Sequence, residues 1–136
     1  MRRRDYPFVP RRTADLKVGD VWAVVLPCGG YGCMQVTDLR RSGVGSRSAL
    51  VAGPLHWTGE RPPDVHEVAG MRLLEMGLVR LKAFGSPDNA IFGNTPPVNS
   101  DEFDSNFAAG YVGSVTRVYG HLAIPGILAR ALSAAG

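Results

Sequence analysis

The sequence lacks any run of 18 or more consecutive apolar residues, so it offers no membrane-spanning helix. Its first residues carry charge and proline instead of the apolar stretch of a secretory signal, and the expectation is a cytoplasmic protein. Cysteine is scarce: Cys28 and Cys33 are the only two, too few for the disulfide framework common in small exported domains. The three histidines, His56, His66 and His121, form no compact pair, so a tetrahedral zinc site is short of ligands and neither metal nor cofactor is expected. There is no G-x-S-x-G elbow, no H-E-x-x-H and no Walker-type glycine loop, and hence no local signature of nucleophilic, metalloprotease or nucleotide chemistry. Internal repeats and low-complexity segments are also missing.

What is present is ordinary globular composition: 136 residues, 45% apolar and 20% charged, enough for one core in one domain. The net charge of +3 is unevenly placed. Arg2, Arg3, Arg4, Arg11 and Arg12 precede Thr13, with Asp5 as the only acid among them, which leaves 10 basic against 11 acidic residues from Thr13 onward. The body is electrically balanced, and a balanced body speaks against nucleic-acid binding, which needs a clustered basic face. Residues 1–13 read as a flexible basic arm and residues 14–136 as a single globular domain.

Val21 to Leu26 and Tyr31 to Leu39 are β-rich runs around Pro27-Cys28-Gly29-Gly30 and predict a hairpin. Gly29-Gly30-Tyr31-Gly32 resembles a phosphate cradle only superficially, because it joins two strands and opens no helix. Arg40 to Arg47 reads as a polar loop and Ser48 to Gly53 as a third strand leading to Leu55-His56-Trp57, before the loop at Pro62-Pro63. Asp64 and Glu67 form a capping-box pattern that predicts a short helix over Val65 to Met76, closed by Gly77. Leu78 to Phe84 and Ala90 to Gly93 read as strands, Asn94 to Asn106 as a long, weakly constrained polar loop, and Tyr111 to Tyr119 as a further strand. Ile124 to Ala135 predicts a terminal helix with Pro125 in its first turn and a stripe of Ile127, Leu128, Ala131 and Leu132. Short connections favour antiparallel pairing. The expected fold is mainly β (α+β), a strongly bent antiparallel sheet or small partly open barrel with a C-terminal helix.

Cys28 and Cys33 flank the hairpin turn, where they either bridge or remain two plain thiols. Trp57 lies between a strand and a double-proline loop, flanked by His56, Thr58, Glu60 and Arg61. It has two readings, a core plug at the end of the sheet or an interface anchor inside a polar rim.

The segment Leu16-Lys17-Val18-Gly19-Asp20-Val21-Trp22-Ala23-Val24-Val25-Leu26, followed by Gly29-Gly30-Tyr31-Gly32-Cys33-Met34-Gln35-Val36, resembles the opening of the immunity protein 26 family. In that family a Gly-Asp-aromatic-Ala strand, a Gly-Tyr-Gly turn and a second strand introduce a small domain. The resemblance covers residues 16–36. It implies a non-enzymatic immunity protein of a bacterial polymorphic toxin system, whose partner is a cognate toxin domain, and it transfers no catalytic residue. The expected contact residues are Tyr31 at the hairpin tip, Arg40 and Arg41, and His56, Trp57, Glu60 and Arg61. The Gly19-Asp20-Val21-Trp22 start also resembles the first strand of small-barrel ribonuclease toxins of toxin-antitoxin pairs. That alternative is an RNA-binding protein or ribonuclease using the N-terminal arginines with Arg80 or Arg117.

Overall fold

The computed structural model describes residues 4–27, 29–39, 49–85, 89–100, 118–120 and 122–135. Among these residues six strands form one open sheet: β1 (Asp20–Val25), β2 (Tyr31–Asp38), β3 (Ala49–Pro54), β4 (Gly77–Arg80), β5 (Ile91–Asn94) and β6 (Val118–Tyr119). Their order across the sheet is β5-β1-β2-β3-β4-β6. Two helices accompany them, α1 (Val65–Val68) and α2 (Ile124–Ala134), so the mainly β, α+β expectation with a C-terminal helix holds.

The β1–β2 hairpin forms where the sequence places it. The Leu26 carbonyl accepts from Gly29 N–H (3.1 Å), Leu26 N–H donates to the Gly30 carbonyl (3.0 Å), and both glycines take positive φ, which a side chain disfavours. Register then runs from Val25↔Tyr31 to Val21↔Gln35. Alternation divides the strands between two cores. Trp22, Val24, Met34, Val36, Leu50, Ala52 and Val79 face one side, where Ala83, Phe84, Tyr119, Ile124 and Leu128 cover them. Val21, Cys33, Ala49, Val51 and Leu78 face the other, under Leu55, Val68, Leu73 and Met76. Phe84 meets Trp22 edge-on at 4.7 Å, a geometry worth about 1 kcal/mol beyond burial alone.

Several boundaries differ from expectation. The helix predicted over Val65–Met76 stops at Val68, although its capping box forms as read: Glu67 N–H donates to Asp64 Oδ1 (3.0 Å) and Asp64 N–H to Glu67 Oε1 (3.2 Å). Ala69 is extended and Gly70 left-handed, because the chain beyond is claimed by tertiary pairing. His56 N–H donates to the Arg72 carbonyl and Leu74 N–H to the Pro54 carbonyl, both at 2.8 Å. The Asn99 side-chain amide brackets Leu73, accepting from its N–H (2.8 Å) and donating to its carbonyl (3.1 Å). The strand predicted over Leu78–Phe84 splits into β4 and a 3-10 turn, Leu81–Phe84, which drops Ala83 and Phe84 into the first core. Asn94 belongs to β5, and Thr95 and Asn99 are buried, so this stretch of the predicted polar loop is anchored; residues 101–106 lie outside the described residues. Of the strand expected over Tyr111–Tyr119, only Val118–Tyr119 is described, and it runs parallel to β4 where antiparallel pairing was expected. The Arg40–Arg47 loop and Cys28, with any bond it makes, also lie outside the described residues.

The basic N-terminal segment is described from Arg4 onward. Phe8 exchanges two backbone hydrogen bonds with Ile91 of β5 (3.0 and 2.8 Å), and Thr13 is buried. Asp20, the first residue of β1, is fully buried and its carboxylate fully engaged. It accepts from Arg4 Nη1 (2.6 Å) and Nη2 (2.9 Å), Lys17 N–H (2.8 Å) and Asn94 Nδ2 (2.9 Å).

At Gly53 in β3 a Cβ would overlap the Glu75 carbonyl oxygen, a backbone atom, whereas at Gly126 in α2 a Cβ meets open space. Urea denaturation is expected to show Gly53→Ala losing about 2 kcal/mol or more through overpacking. Gly126→Ala is expected to gain roughly 0.5–1 kcal/mol through helix propensity and a less flexible unfolded chain.

Candidate functional site

β3 is followed by a detour that positions Trp57. Leu55 N–H still donates to the Cys33 carbonyl of β2 (2.9 Å), but at His56 the backbone leaves the ladder. Trp57 N–H folds back onto the Leu55 carbonyl (2.8 Å), a tight turn centred on His56. Pairing with β2 resumes at Gly59, which donates to the Tyr31 carbonyl (3.1 Å) and accepts from Tyr31 N–H (2.8 Å). Three residues, His56, Trp57 and Thr58, are thereby pushed out of an otherwise continuous pairing.

The direction in which Trp57 lies follows from Gly59. A Cβ on Gly59 would sit 2.7 Å from Trp57 Cζ2 and 2.8 Å from Cη2, so the indole occupies the space that a side chain at 59 would fill. Bridge partners point their side chains to one face, which puts Tyr31 and the indole on the same side of the sheet. Val25 is opposite Tyr31 across the hairpin and belongs to that face by alternation. The result is a cross-strand row of Val25, Tyr31 and Trp57. Val25 is 56% exposed, and Tyr31 and Trp57 are half-buried. His56, Glu60 and Arg61 are exposed on the same stretch of chain as Trp57.

Five of the seven residues expected from the sequence lie on two segments whose backbones the Tyr31–Gly59 bridge joins. Arg40 and Arg41 lie outside the described residues. Trp57 packs in part on the second core, as the plug reading has it, and stays in part open to solvent. Sequence reasoning missed Val25. The signal was its parity with Val21 and Ala23 in β1, which marks one sheet face, but nothing local shows that the cover ends before position 25.

Cys33 lies two residues from Tyr31 on the same strand, fully buried, and burial pushes its thiol well above the usual range, so it is held as a neutral thiol and not as a reactive thiolate. Among the described residues no group of three or more His, Cys, Asp or Glu is gathered for a metal ion. No helix among the described residues is long and apolar enough to cross a membrane. Of the arginines of the nucleic-acid alternative, Arg4 is paired with Asp20 and Arg12 with Asp15 (3.0 Å), Arg11 and Arg80 are exposed, and Arg2, Arg3 and Arg117 lie outside the described residues. Comparison with family models, with curated proteins and with solved structures finds no match to this chain.

Gly59→Ala is expected to displace the Trp57 indole toward solvent. Acrylamide should then quench tryptophan emission more strongly than in the unsubstituted protein. In a Trp57→Phe background, where only the buried Trp22 reports, the same glycine substitution should leave quenching unchanged.

Proposed function

We propose that this chain is a non-enzymatic immunity protein that binds a cognate bacterial toxin domain and neutralises it by covering its active site or an adjacent surface. The observation that supports this reading is the Val25–Tyr31–Trp57 row. A half-buried indole, seated over a glycine and flanked by a tyrosine and an exposed valine, has the composition of a binding anchor. His56, Glu60 and Arg61 supply the polar margin in which such anchors sit. The resemblance of residues 16–36 to the immunity protein 26 family names the class of partner, and inhibition of this kind requires no catalytic group on the inhibitor.

The test is growth of bacterial cells expressing the toxin domain encoded beside this chain, with and without it, followed by co-purification of the two proteins. Rescue with a stable complex is the expected result. Absence of both, or toxicity from this chain alone, would sink the reading. Trp57→Ala is expected to cost about 2 kcal/mol of binding or more, a roughly thirtyfold weaker complex. Because Trp57 also packs on the second core, Val25→Arg serves as the companion variant: it should leave the unfolding midpoint unchanged and still weaken the complex.

A further inference from the structure

The hairpin end of β1 overhangs its neighbour β5. Leu26 N–H donates to the Gly30 carbonyl of the turn (3.0 Å), and Tyr31 spends its own N–H and carbonyl on Gly59 (2.8 and 3.1 Å), on the side away from β1. Val25 and Tyr31 are therefore a non-hydrogen-bonded pair of the β1–β2 ladder, and the N–H and carbonyl of Val25 point away from β2. On that side β5 pairs with β1 only from Asp20 to Trp22, and among the described residues no strand lies beside Val25 there. Val25 is 56% exposed, where Val21, Trp22 and Val24 are buried. Ala23 to Leu26 also bears none of the charges that usually blunt an open edge.

Open edge and apolar row adjoin at Val25. A strand laid along this edge takes up both outward backbone groups, and its residue opposite Val25 shares the face of Val25, which extends the Val25–Tyr31–Trp57 row by one position. We infer that the toxin domain is held here by strand addition: an extended segment of it pairs with β1 at Val25 and sets an apolar or aromatic side chain beside the valine. This rests on the reading that the row meets a toxin domain, and adds the form of the recognised element, a free strand and not a helix.

The test is amide hydrogen exchange in the full-length chain, alone and in complex with the toxin domain encoded beside it. In the free chain Val25 should exchange about tenfold faster or more than Leu26, whose N–H is bonded within the hairpin, and binding should slow Val25 by a similar factor. A complex that forms and leaves Val25 as fast as before overturns the strand pairing while the immunity reading stands; absence of a complex overturns both. Protection of Val25 in the chain alone that dilution abolishes assigns the edge to a second copy and overturns the toxin segment as occupant. Because mere covering also slows exchange, Val25→Pro supplies a second measurement: it deletes an outward N–H, and proline is tolerated at a strand edge. Val25→Pro should weaken the complex about tenfold more than Val25→Ala, which keeps the donor, at similar unfolding midpoints. Equal affinity of the two variants overturns the pairing. If Val25→Pro does not fold, the exchange results decide alone.

Discussion

Four hydrogen bonds converge on the Asp20 carboxylate, and the way the chain closes on itself depends on them. Removing a carboxylate from water costs several kcal/mol, a cost offset only when its lone pairs are all engaged. Here they are, by groups from three separate stretches of chain: Arg4 from the N-terminal segment, Lys17 N–H from the turn before β1, and Asn94 from the end of β5. Asp20 therefore sets where β1 begins, where β5 ends and where the N-terminal segment is held. Gly19 makes this possible: its φ is +99°, and a Cβ there would stand 2.7 Å from the Thr95 carbonyl oxygen. The two residues act as a unit, the glycine allowing the close crossing and the aspartate fastening it.

The same economy of space appears where the two covers meet the sheet. Gly32 admits Leu128 of α2 on one face, Gly53 admits the Glu75 carbonyl on the other, and Gly93 admits Val65 of α1. Each glycine is a notch that lets a covering segment approach a strand closely. Short helices and irregular segments can then bury both faces of the sheet, as interior packing requires.

The parts of the fold legible in the sequence are those governed by neighbours in the chain. The hairpin at Pro27 to Gly30, the Asp64–Glu67 cap and the proline-started terminal helix all follow from local rules. The rest depends on partners far away. The early end of α1 reflects pairing of residues 72–74 with 54–56 and the grip of Asn99 on Leu73. The parallel seat of β6 beside β4 joins strands with no short connection between them. The candidate surface shows the same division. Trp57 stands out by composition, but its direction depends on the Tyr31–Gly59 bridge, and Val25 is distinguished only by where the cover stops. Of the residues that carry the family resemblance, Tyr31 lies in the candidate row, while Gly19, Asp20, Trp22, Gly30 and Gly32 are occupied in holding this fold together. They speak for architecture and are silent about what is bound.

The detour from His56 to Thr58 starts and ends on the same strand, with Leu55 and Gly59 both paired to β2. Whatever the chain does between those two points, the alignment on either side is restored. Such an arrangement separates inheritance of the scaffold from inheritance of the surface: substitutions within the excursion alter what is displayed without passing a shift in register into the core.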